Sequence, residues 1–431
     1  MAASHRLYYD DAFVRDFTAR VTDVREHGRS SGEAVWQIAL DRTAFYPTSG
    51  GQPFDTGALR ATSPGGAELE IQVESVEEDE AGEVWHFVRK PLAAGTHVEG
   101  QIDWARRLDH MQQHTGQHLL SAVLQREIHA PTVSFHLGEA VSTIDVTGGA
   151  IAPHTLERVE RIANEMIAED RAVAARVITR AEAEAKLAEG KLSKLPDRNG
   201  DIRLIEIADY DLNACGGTHM HSTGQIGGML LRGTEKVSRG LRIEFACGLR
   251  AVRAARGDAE ILRKAAGILT IGAADIPAAV ERLRLEAKSA AKERLQMREE
   301  LAAYHAARLA VESQIRDGLR LVERVWKDRD RDYVRLLASR LAAAAPSTAA
   351  ILCAQDGDPV RVVLSRSLDL NLDCGRIMKE ALAERGLRGG GSADLAQGDV
   401  PAAQCAEFRA ALANSIRASV AAERDRPRAM L

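Results

Sequence analysis

HTGQHLL, at residues 114–120, lies where the sequence pattern of this 431-residue chain changes from strand to helix. Upstream of it, apolar and polar residues alternate in short runs broken by glycine, as at 35–40 and 69–73, and this two-residue period is typical of strands. From Asp109 onward, apolar residues recur instead at steps of three and four, which is the period of a helix. A sheet followed by a helical layer is therefore predicted.

The predicted fold class is α+β, with four parts along the chain. Residues 202–246 return to strand character around a glycine-rich turn, and 349–353 and 360–364 resemble paired strands. The four parts are a small β-sheet or β-barrel domain at 1–108, an α/β domain at 109–250, a helical hairpin or coiled-coil linker at 251–325, and an α/β domain at 326–431.

The linker is rich in Ala, Leu, Arg and Glu, and its apolar residues recur at steps of three and four. Ile276-Pro277 is expected at the start of a long helix or at its bend. Two interpretations stay open, a solvated spacer and a coiled coil that joins two copies into a homodimer, because alanine-rich seams bury little area. The C-terminal region is the alternative site for such a homodimer.

Composition excludes several classes of protein. With 45% hydrophobic and 28% charged residues the chain is typical of a globular protein, and no apolar run has the length of a membrane span. The N-terminal residues reach acidic positions too early for a signal peptide, so the prediction is cytoplasmic. A net charge of −5 disfavours non-specific DNA binding but leaves room for a basic patch that contacts a structured RNA.

Two histidines of the opening stretch form half of a candidate metal site. His114 and His118 lie four residues apart, so a helix presents both imidazoles on one face. His110 lies one turn earlier on that face, and spacing alone does not choose between the pairs. A metalloprotease is disfavoured because HTGQH lacks the glutamate of HExxH. A phosphoesterase is disfavoured because no set of paired aspartates accompanies Asp109-His110.

CGGTH, at 215–219, supplies a more specific second half. Cys215 and His219 flank two glycines, which let the backbone bend until both side chains converge on one point. His221 is an alternative to His219 on spacing alone. One thiolate with imidazoles suits Zn²⁺, which favours tetrahedral coordination by cysteine and histidine. The five cysteines of the chain are too scattered for a disulfide framework, which favours metal binding or burial.

Together, three motifs resemble those of a known family. TAFYPTSGGQP at 43–53, HTGQHLL and CGGTH followed by STGQIG at 222–227 are similar to the signatures of the editing half of alanyl-tRNA synthetase and its freestanding relatives, the long form of the alanyl-tRNA editing proteins. The likeness covers nearly the whole chain. It implies an α/β zinc-containing editing domain, and it implies the four zinc ligands His114, His118, Cys215 and His219.

The same resemblance implies a trans-editing hydrolase for mischarged tRNA(Ala). The expected substrate is chiefly Ser-tRNA(Ala), with glycine as the second amino acid considered, because a pocket built for alanine cannot strongly reject an added hydroxyl. Thr43 and Gln52 of the signature are the candidate catalytic residues that read the serine hydroxyl. The alternative function is a non-catalytic zinc-containing protein that binds tRNA or a protein partner.

A glycine run near the C-terminus is the candidate nucleic-acid contact. Gly389, Gly390 and Gly391 resemble a motif of the domain that follows the editing domain in the synthetase. Backbone N–H groups of such a run cradle a phosphate, and the equally weighted alternative is a tight strand-to-helix turn. The synthetase has arginine and proline where this chain has Ser392 and Ala393, so the phosphate contact of that arginine does not carry over.

Overall fold

The computed structural model describes residues 4–30, 32–62, 66–196, 200–238 and 240–424. It is a mixed α and β structure with several sheets, which confirms the predicted α+β class. The chain divides into two compact units, Met1–Gly267 and Ile268–Leu431. The finer division into four parts stays a prediction. Among the described residues, no helix is at once long and apolar enough to cross a bilayer.

The first unit begins with an antiparallel sheet of seven strands. The elements are β1 (His5–Arg6), α1 (Leu7–Asp10), β2 (Asp16–Ser30), β3 (Glu33–Leu40), β4 (Arg42–Thr43), β5 (Gly57–Thr62), β6 (Glu68–Val73), β7 (Ser75–Glu78), β8 (Val84–Val88) and β9 (His97–Ile102). Seven of them are hydrogen-bonded in the order β6-β5-β9-β2-β3-β8-β7, and β1 pairs with β4 in parallel.

The long strand β2 pairs with β9 in its first part and with β3 in its second. Strand β9 alternates exposed and buried residues, as a strand with one face on a core does. Because β6 and β7 stand at opposite ends and do not pair in the described residues, the sheet is open. The sheet form of the prediction is confirmed, and the barrel form is wrong.

The rest of the first unit packs helices against two smaller antiparallel sheets, ordered β10-β11-β16-β15 and β12-β13-β14. The elements are α2 (Trp104–Ile128), β10 (Thr132–Leu137), β11 (Ser142–Val146), α3 (Pro153–Ala168), β12 (Val173–Ile178), α4 (Arg180–Ala188), β13 (Ile202–Ile207), β14 (Asp211–Ala214), β15 (Met229–Val237), β16 (Gly240–Cys247) and α5 (Gly248–Leu269).

Helix α2 is the central element of this region. The Asp103 carboxylate caps its first turn by accepting a hydrogen bond from the Arg106 amide, and His129 ends it in the left-handed conformation. Fifteen of its residues are buried, polar ones included, so the helix is enclosed by its neighbours. An enclosed helix holds its polar side chains in fixed positions, which a metal site requires.

The second unit is a five-stranded mixed sheet with helices. Its elements are α6 (Ile276–Glu312), β17 (Arg320–Trp326), α7 (Arg331–Ala344), β18 (Thr348–Ala354), β19 (Val360–Arg366), α8 (Cys374–Ala383), β20 (Gly389–Gly391), β21 (Leu395–Val400) and α9 (Cys405–Arg424). The strand order is β17-β18-β19-β21-β20, with β17 and β18 parallel and the other pairs antiparallel.

Several sequence predictions for this unit are confirmed. The strand pair around the Asp358-Pro359 turn is β18 and β19, and Pro277 lies in the first turn of α6, one of its two expected positions. Helix α6 then continues unbroken to Glu312. A hairpin between α5 and α6, and a dimer through them, stay predictions.

Candidate metal centre

Helix α2 carries two histidines on one buried face. His114 and His118 have ring centroids 5.2 Å apart, as expected for residues one turn apart on a helix. Next to them, Leu119 and Leu120 enter the core formed by α2, α3 and the sheet of β10, β11, β15 and β16. The apolar neighbours fix the rotation of the helix, and that rotation points both imidazoles away from solvent.

The turn after β14 brings the other two side chains of the centre. Arg203 on β13 holds this turn, because its Nη1 donates to the carbonyl oxygens of Cys215 at 3.0 Å and Gly217 at 2.9 Å. Gly217 itself faces His114, and a Cβ at this position would overlap the imidazole ring. The second glycine of CGGTH is therefore required by the close approach of the turn to α2.

The ligand-type atoms of His114, His118, Cys215 and His219 all lie within 4.8 Å of one another. The Cys215 Sγ is 3.4 Å from the His114 Nε2 and 3.3 Å from the His219 Nε2. This is the set that the family resemblance implies. In the part of the chain that the structure describes, no other group of three or more such residues is found, and His110 is outside this one.

His110 and His221, the two alternative ligands that spacing alone allowed, lie outside the cluster. His221 is exposed and stacks on the ring of Phe13, with centroids 4.1 Å apart. His110 is buried, and its Nδ1 has no hydrogen-bond partner among the described residues. Burial, followed by the positive charge of Arg106, lowers the His110 pKa to about 4. His110 is therefore a neutral neighbour of the cluster.

Each imidazole of the cluster has a polar group beside its Nδ1 atom. The His114 Nδ1 donates to the Gln52 Oε1 at 2.9 Å, and the His219 Nδ1 is 3.3 Å from the Thr115 hydroxyl, which can accept its proton. The His118 Nδ1 lies 3.9 Å from a carboxylate oxygen of Asp211, which is too far for a hydrogen bond, and it has no hydrogen-bond partner among the described residues. The partners of His114 and His219 fix the tautomer of these two rings and leave their Nε2 atoms bare for a metal ion.

Burial sets the protonation of these groups. It lowers the pKa of His118 to about 4, and it lowers the pKa of His114 and His219 well below the usual value. Neutral imidazoles are the form that binds metals. Burial also raises the pKa of the Cys215 thiol, although the Gly217 amide and Arg203 oppose this shift. A metal cation would supply the positive charge that a buried thiolate lacks.

This donor set fits Zn²⁺. Three imidazoles and one thiol converge from two elements, and cysteine and histidine are the ligands that zinc favours. Four protein ligands would fill a tetrahedral coordination shell. Loss of one ligand, or expansion to five ligands, would let the ion contact substrate or water.

Gln52 lies beside the cluster, and both polar atoms of its side-chain amide form hydrogen bonds. The Oε1 accepts hydrogen bonds from the His114 ring and from the Thr218 amide at 3.0 Å, and the Nε2 donates to the Thr218 hydroxyl at 2.8 Å. The side chain thus joins the signature segment, helix α2 and the CGGTH turn. These contacts fit a positioning role for Gln52, and its part in reading the serine hydroxyl stays a prediction.

Thr43 lies at the end of β4 and is buried. Its contacts are with the sheet: the hydroxyl accepts from the Phe45 amide at 3.1 Å and donates to the His86 Nε2 at 2.8 Å. The direction of the second bond follows from His86, because its Nδ1 donates to the Ile38 carbonyl at 2.9 Å and the neutral ring has one proton. Serine recognition by Thr43 stays a prediction.

An ion pair ties the signature segment to the start of α2. Arg107 and Asp55 are both fully buried, and the Arg107 Nε donates to the two Asp55 carboxylate oxygens at 3.1 and 3.0 Å. The Tyr46 amide donates to the same carboxylate at 2.7 Å. This buried ion pair links the segment that carries Gln52 to the helix that carries His114 and His118.

The cluster borders a cleft of about 1370 Å³. His118 and Cys215 reach its wall, and the exposed lysines Lys191 and Lys194 also line it. Asp211 is a further lining residue, and burial raises the pKa of its carboxyl to about 6. The volume exceeds that of an amino acid and leaves room for a nucleotide attached to it.

Comparisons with known proteins identify the family. The chain matches "tRNA synthetases class II (A)" at residues 1–106, "Threonyl and Alanyl tRNA synthetase second additional domain" at 202–244, and "DHHA1 domain" at 319–418. The alanyl-tRNA editing protein AlaX-L of Pyrococcus horikoshii is 30% identical over 412 residues, which cover 92% of this chain and 95% of that protein. The chain belongs to the AlaX-L family.

The AlaX-L likeness extends to a longer class of protein. Alanine–tRNA ligase of Pyrococcus abyssi is 34% identical over 405 residues, which are 91% of this chain and 42% of the ligase. The chain thus spans less than half of the length of the ligases it matches. The C-Ala domain from Aquifex aeolicus alanyl-tRNA synthetase covers 24% of the chain, and 95% of that domain is covered, at 21% identity and a TM-score of 0.22.

The glycine run of this AlaX-L family member lies in the second unit. Gly389, Gly390 and Gly391 form the edge strand β20, which pairs with β21. A Cβ at the first or third glycine would overlap backbone carbonyls of β21. The glycines therefore have a packing role as a strand, which replaces the predicted tight turn. A phosphate contact by this run stays a prediction.

Sequence reasoning missed several residues that surround the cluster. Thr115, Asp211 and Arg203 each contact a cluster side chain or its turn. Thr115 lies inside HTGQHLL, and its place next to His114 is the sequence signal that could have found it. Asp211 and Arg203 belong to strands whose alternation indicated only a sheet.

Proposed function

We propose that this chain hydrolyses the ester of mischarged tRNA(Ala), chiefly Ser-tRNA(Ala), with Gly-tRNA(Ala) as a second substrate. The observation that carries the proposal is the convergence of His114, His118, Cys215 and His219 at the wall of a cleft large enough for an aminoacylated nucleotide. The activity that the AlaX-L relative is named for, alanyl-tRNA editing, is of the same kind.

In the proposed reaction, the oxygen of a water molecule bonds to the ester carbonyl carbon, and the bond from this carbon to the ribose oxygen breaks. The ribose oxygen takes up a proton from the water. The products are the free amino acid and tRNA. When bound, Zn²⁺ supplies positive charge that polarises a carbonyl oxygen or orients a water molecule. Gln52 and Thr115 hold the His114 and His219 rings in place, so the site need not reorganise during the reaction.

The charges of the cleft suit the rest of the substrate. Lys194 offers an ammonium group to the phosphates near the end of the tRNA, and the Asp211 carboxylate offers an anion to the α-ammonium group of the amino acid. Contact of tRNA with the Gly389–Gly391 strand of the second unit is a separate part of the proposal.

The test is to incubate the zinc-loaded protein with Ser-tRNA(Ala), Gly-tRNA(Ala) and Ala-tRNA(Ala) and to follow release of each amino acid. We expect release of serine to be fastest and of alanine slowest. A Cys215→Ala variant, which lacks the thiolate of the cluster, is the matched inactive control.

The alternative is a non-catalytic zinc-containing protein that binds tRNA or a partner. It makes the opposite prediction in this assay, since tRNA would be bound with no release of any amino acid above the Cys215→Ala control. That outcome would overturn the hydrolase.

A further inference from the structure

The two residues that the signature offered for reading a serine hydroxyl have their polar atoms engaged inside the protein. The Thr43 hydroxyl pairs with His86 and with the Phe45 amide, and both amide atoms of Gln52 have partners. A group that binds substrate would have to break such bonds first, which cancels much of the gain. Another side chain near the cluster is better suited.

Gln117 is that side chain. It lies on α2 directly before His118, is 5% exposed, and lines the same cleft. Its Nε2 donates to the Ser121 hydroxyl at 2.8 Å, and Ser121 in turn is 2.7 Å from the Thr132 hydroxyl. The Gln117 Oε1 is buried and has no hydrogen-bond partner among the described residues.

We propose that the free amide atom of Gln117 binds the side-chain hydroxyl of serine and so selects the serine ester over the alanine ester. The inference rests on the proposed hydrolase function and adds the specificity residue to it. Ser121 and Thr132 anchor the amide by its other end, which orients Gln117 before substrate arrives.

The asymmetry between serine and alanine follows from the unpaired acceptor. Serine donates its hydroxyl proton to the Oε1 and satisfies it, whereas alanine leaves this atom as unpaired as it is in the free protein. Selectivity therefore comes from a hydrogen bond that only serine gains. A site with this property favours the mischarged tRNA.

The neutral amide suits a neutral hydroxyl better than it suits the α-ammonium group. The ammonium group is a cation, and the Asp211 carboxylate in the same cleft is the complementary charge. The proposal also holds if the amide is turned over, because the Nε2 would then donate to the serine oxygen and the Oε1 would accept from Ser121.

The test is a Gln117→Leu variant with its zinc content measured first. We expect kcat/KM for Ser-tRNA(Ala) to fall about tenfold while kcat/KM for Ala-tRNA(Ala) stays equal, since alanine makes no hydrogen bond to this amide. Gln125→Leu is the matched control, because Gln125 lies two turns further along α2 in the same cleft and is exposed. It should keep the wild-type ratio.

Each outcome of this experiment supports or refutes the role of Gln117. If the zinc-loaded wild type releases no amino acid, the hydrolase function has failed and the inference with it. If the wild type prefers serine and Gln117→Leu keeps that preference, only the role of Gln117 is refuted. Equal slowing on both esters would mean that Gln117 binds the ammonium group or the ribose, which also refutes it. Should the leucine variant not fold, Gln117→Asn, which withdraws the amide by one methylene, must lower the same ratio.

Discussion

Replacing Gln52 by methionine tests the idea that this residue positions a zinc ligand. Methionine keeps the length of the side chain and its burial but removes both amide atoms. Three hydrogen bonds are lost: one to the His114 ring and two to Thr218. The His114 Nδ1–H then has no acceptor in a fully buried position, and its ring is free to turn away from the cluster.

The size of the effect follows from these contacts. An unpaired buried donor costs about 1–3 kcal/mol, and loss of a group that orients a metal-bound histidine costs about 10- to 100-fold in metal affinity, or about 1.4–2.7 kcal/mol. The two ranges agree. The bonds to Thr218 contribute a further loss of about 2 kcal/mol to the free energy of unfolding.

The assay is competition for zinc between the protein and a chromophoric chelator, with chemical denaturation measured in parallel. Gln52→Glu should keep most of the affinity, because a carboxylate still accepts from the His114 Nδ1. An exposed glutamine, Gln101, gives the control Gln101→Met, which should leave both quantities unchanged. Wild-type zinc affinity in Gln52→Met would refute the reasoning, whatever happened to stability.

Three further predictions use other parts of the first unit. Cys215→Ala should lose zinc and His110→Ala should keep it in metal analysis, and full occupancy in the cysteine variant would overturn the ligand assignment. Thr43→Val leaves the His86 Nε2 unpaired, so denaturation should show an unfolding free energy about 1–3 kcal/mol lower; an unchanged value would exclude this contact. Burial lowers the His86 pKa to about 4. Between about pH 6.5 and pH 4, the unfolded chain therefore binds a proton at His86 that the folded chain does not bind. Stability present above pH 6.5 should therefore fall toward pH 4 by up to about 1.4 kcal/mol per unit, and His86→Leu should lack this part of the slope.

The chemistry of the centre was predictable from sequence because it depends on local spacing. The four-residue step of His114 and His118 and the two glycines of CGGTH each act within one turn of backbone. Spacing could not choose between His114 and His110, because both lie on the same helix face. The resemblance made that choice, and the convergence of the four side chains agrees with it.

The groups around the centre could not be predicted in the same way. Gln52 and Thr218 are 166 residues apart, and their contact depends on how a sheet segment and a turn are packed. The sequence equally contains no sign that the Thr43 hydroxyl would pair with His86, because β4 and β8 belong to different sheets and the contact depends on how these sheets pack. The glycine run at 389–391 shows the limit for backbone too, since a turn and a tight edge strand both require glycine.

The separation of the two halves of the centre along the chain bears on how the protein acquires its metal during synthesis. Cys215 follows His114 by 101 residues, so a ribosome that has made all of α2 has made only two of the four donors. A zinc ion that arrives then meets two imidazoles and leaves again readily. Stable zinc binding therefore requires that residue 219 has left the exit tunnel. A nascent chain arrested before Cys215 would lose its zinc to a weak chelator.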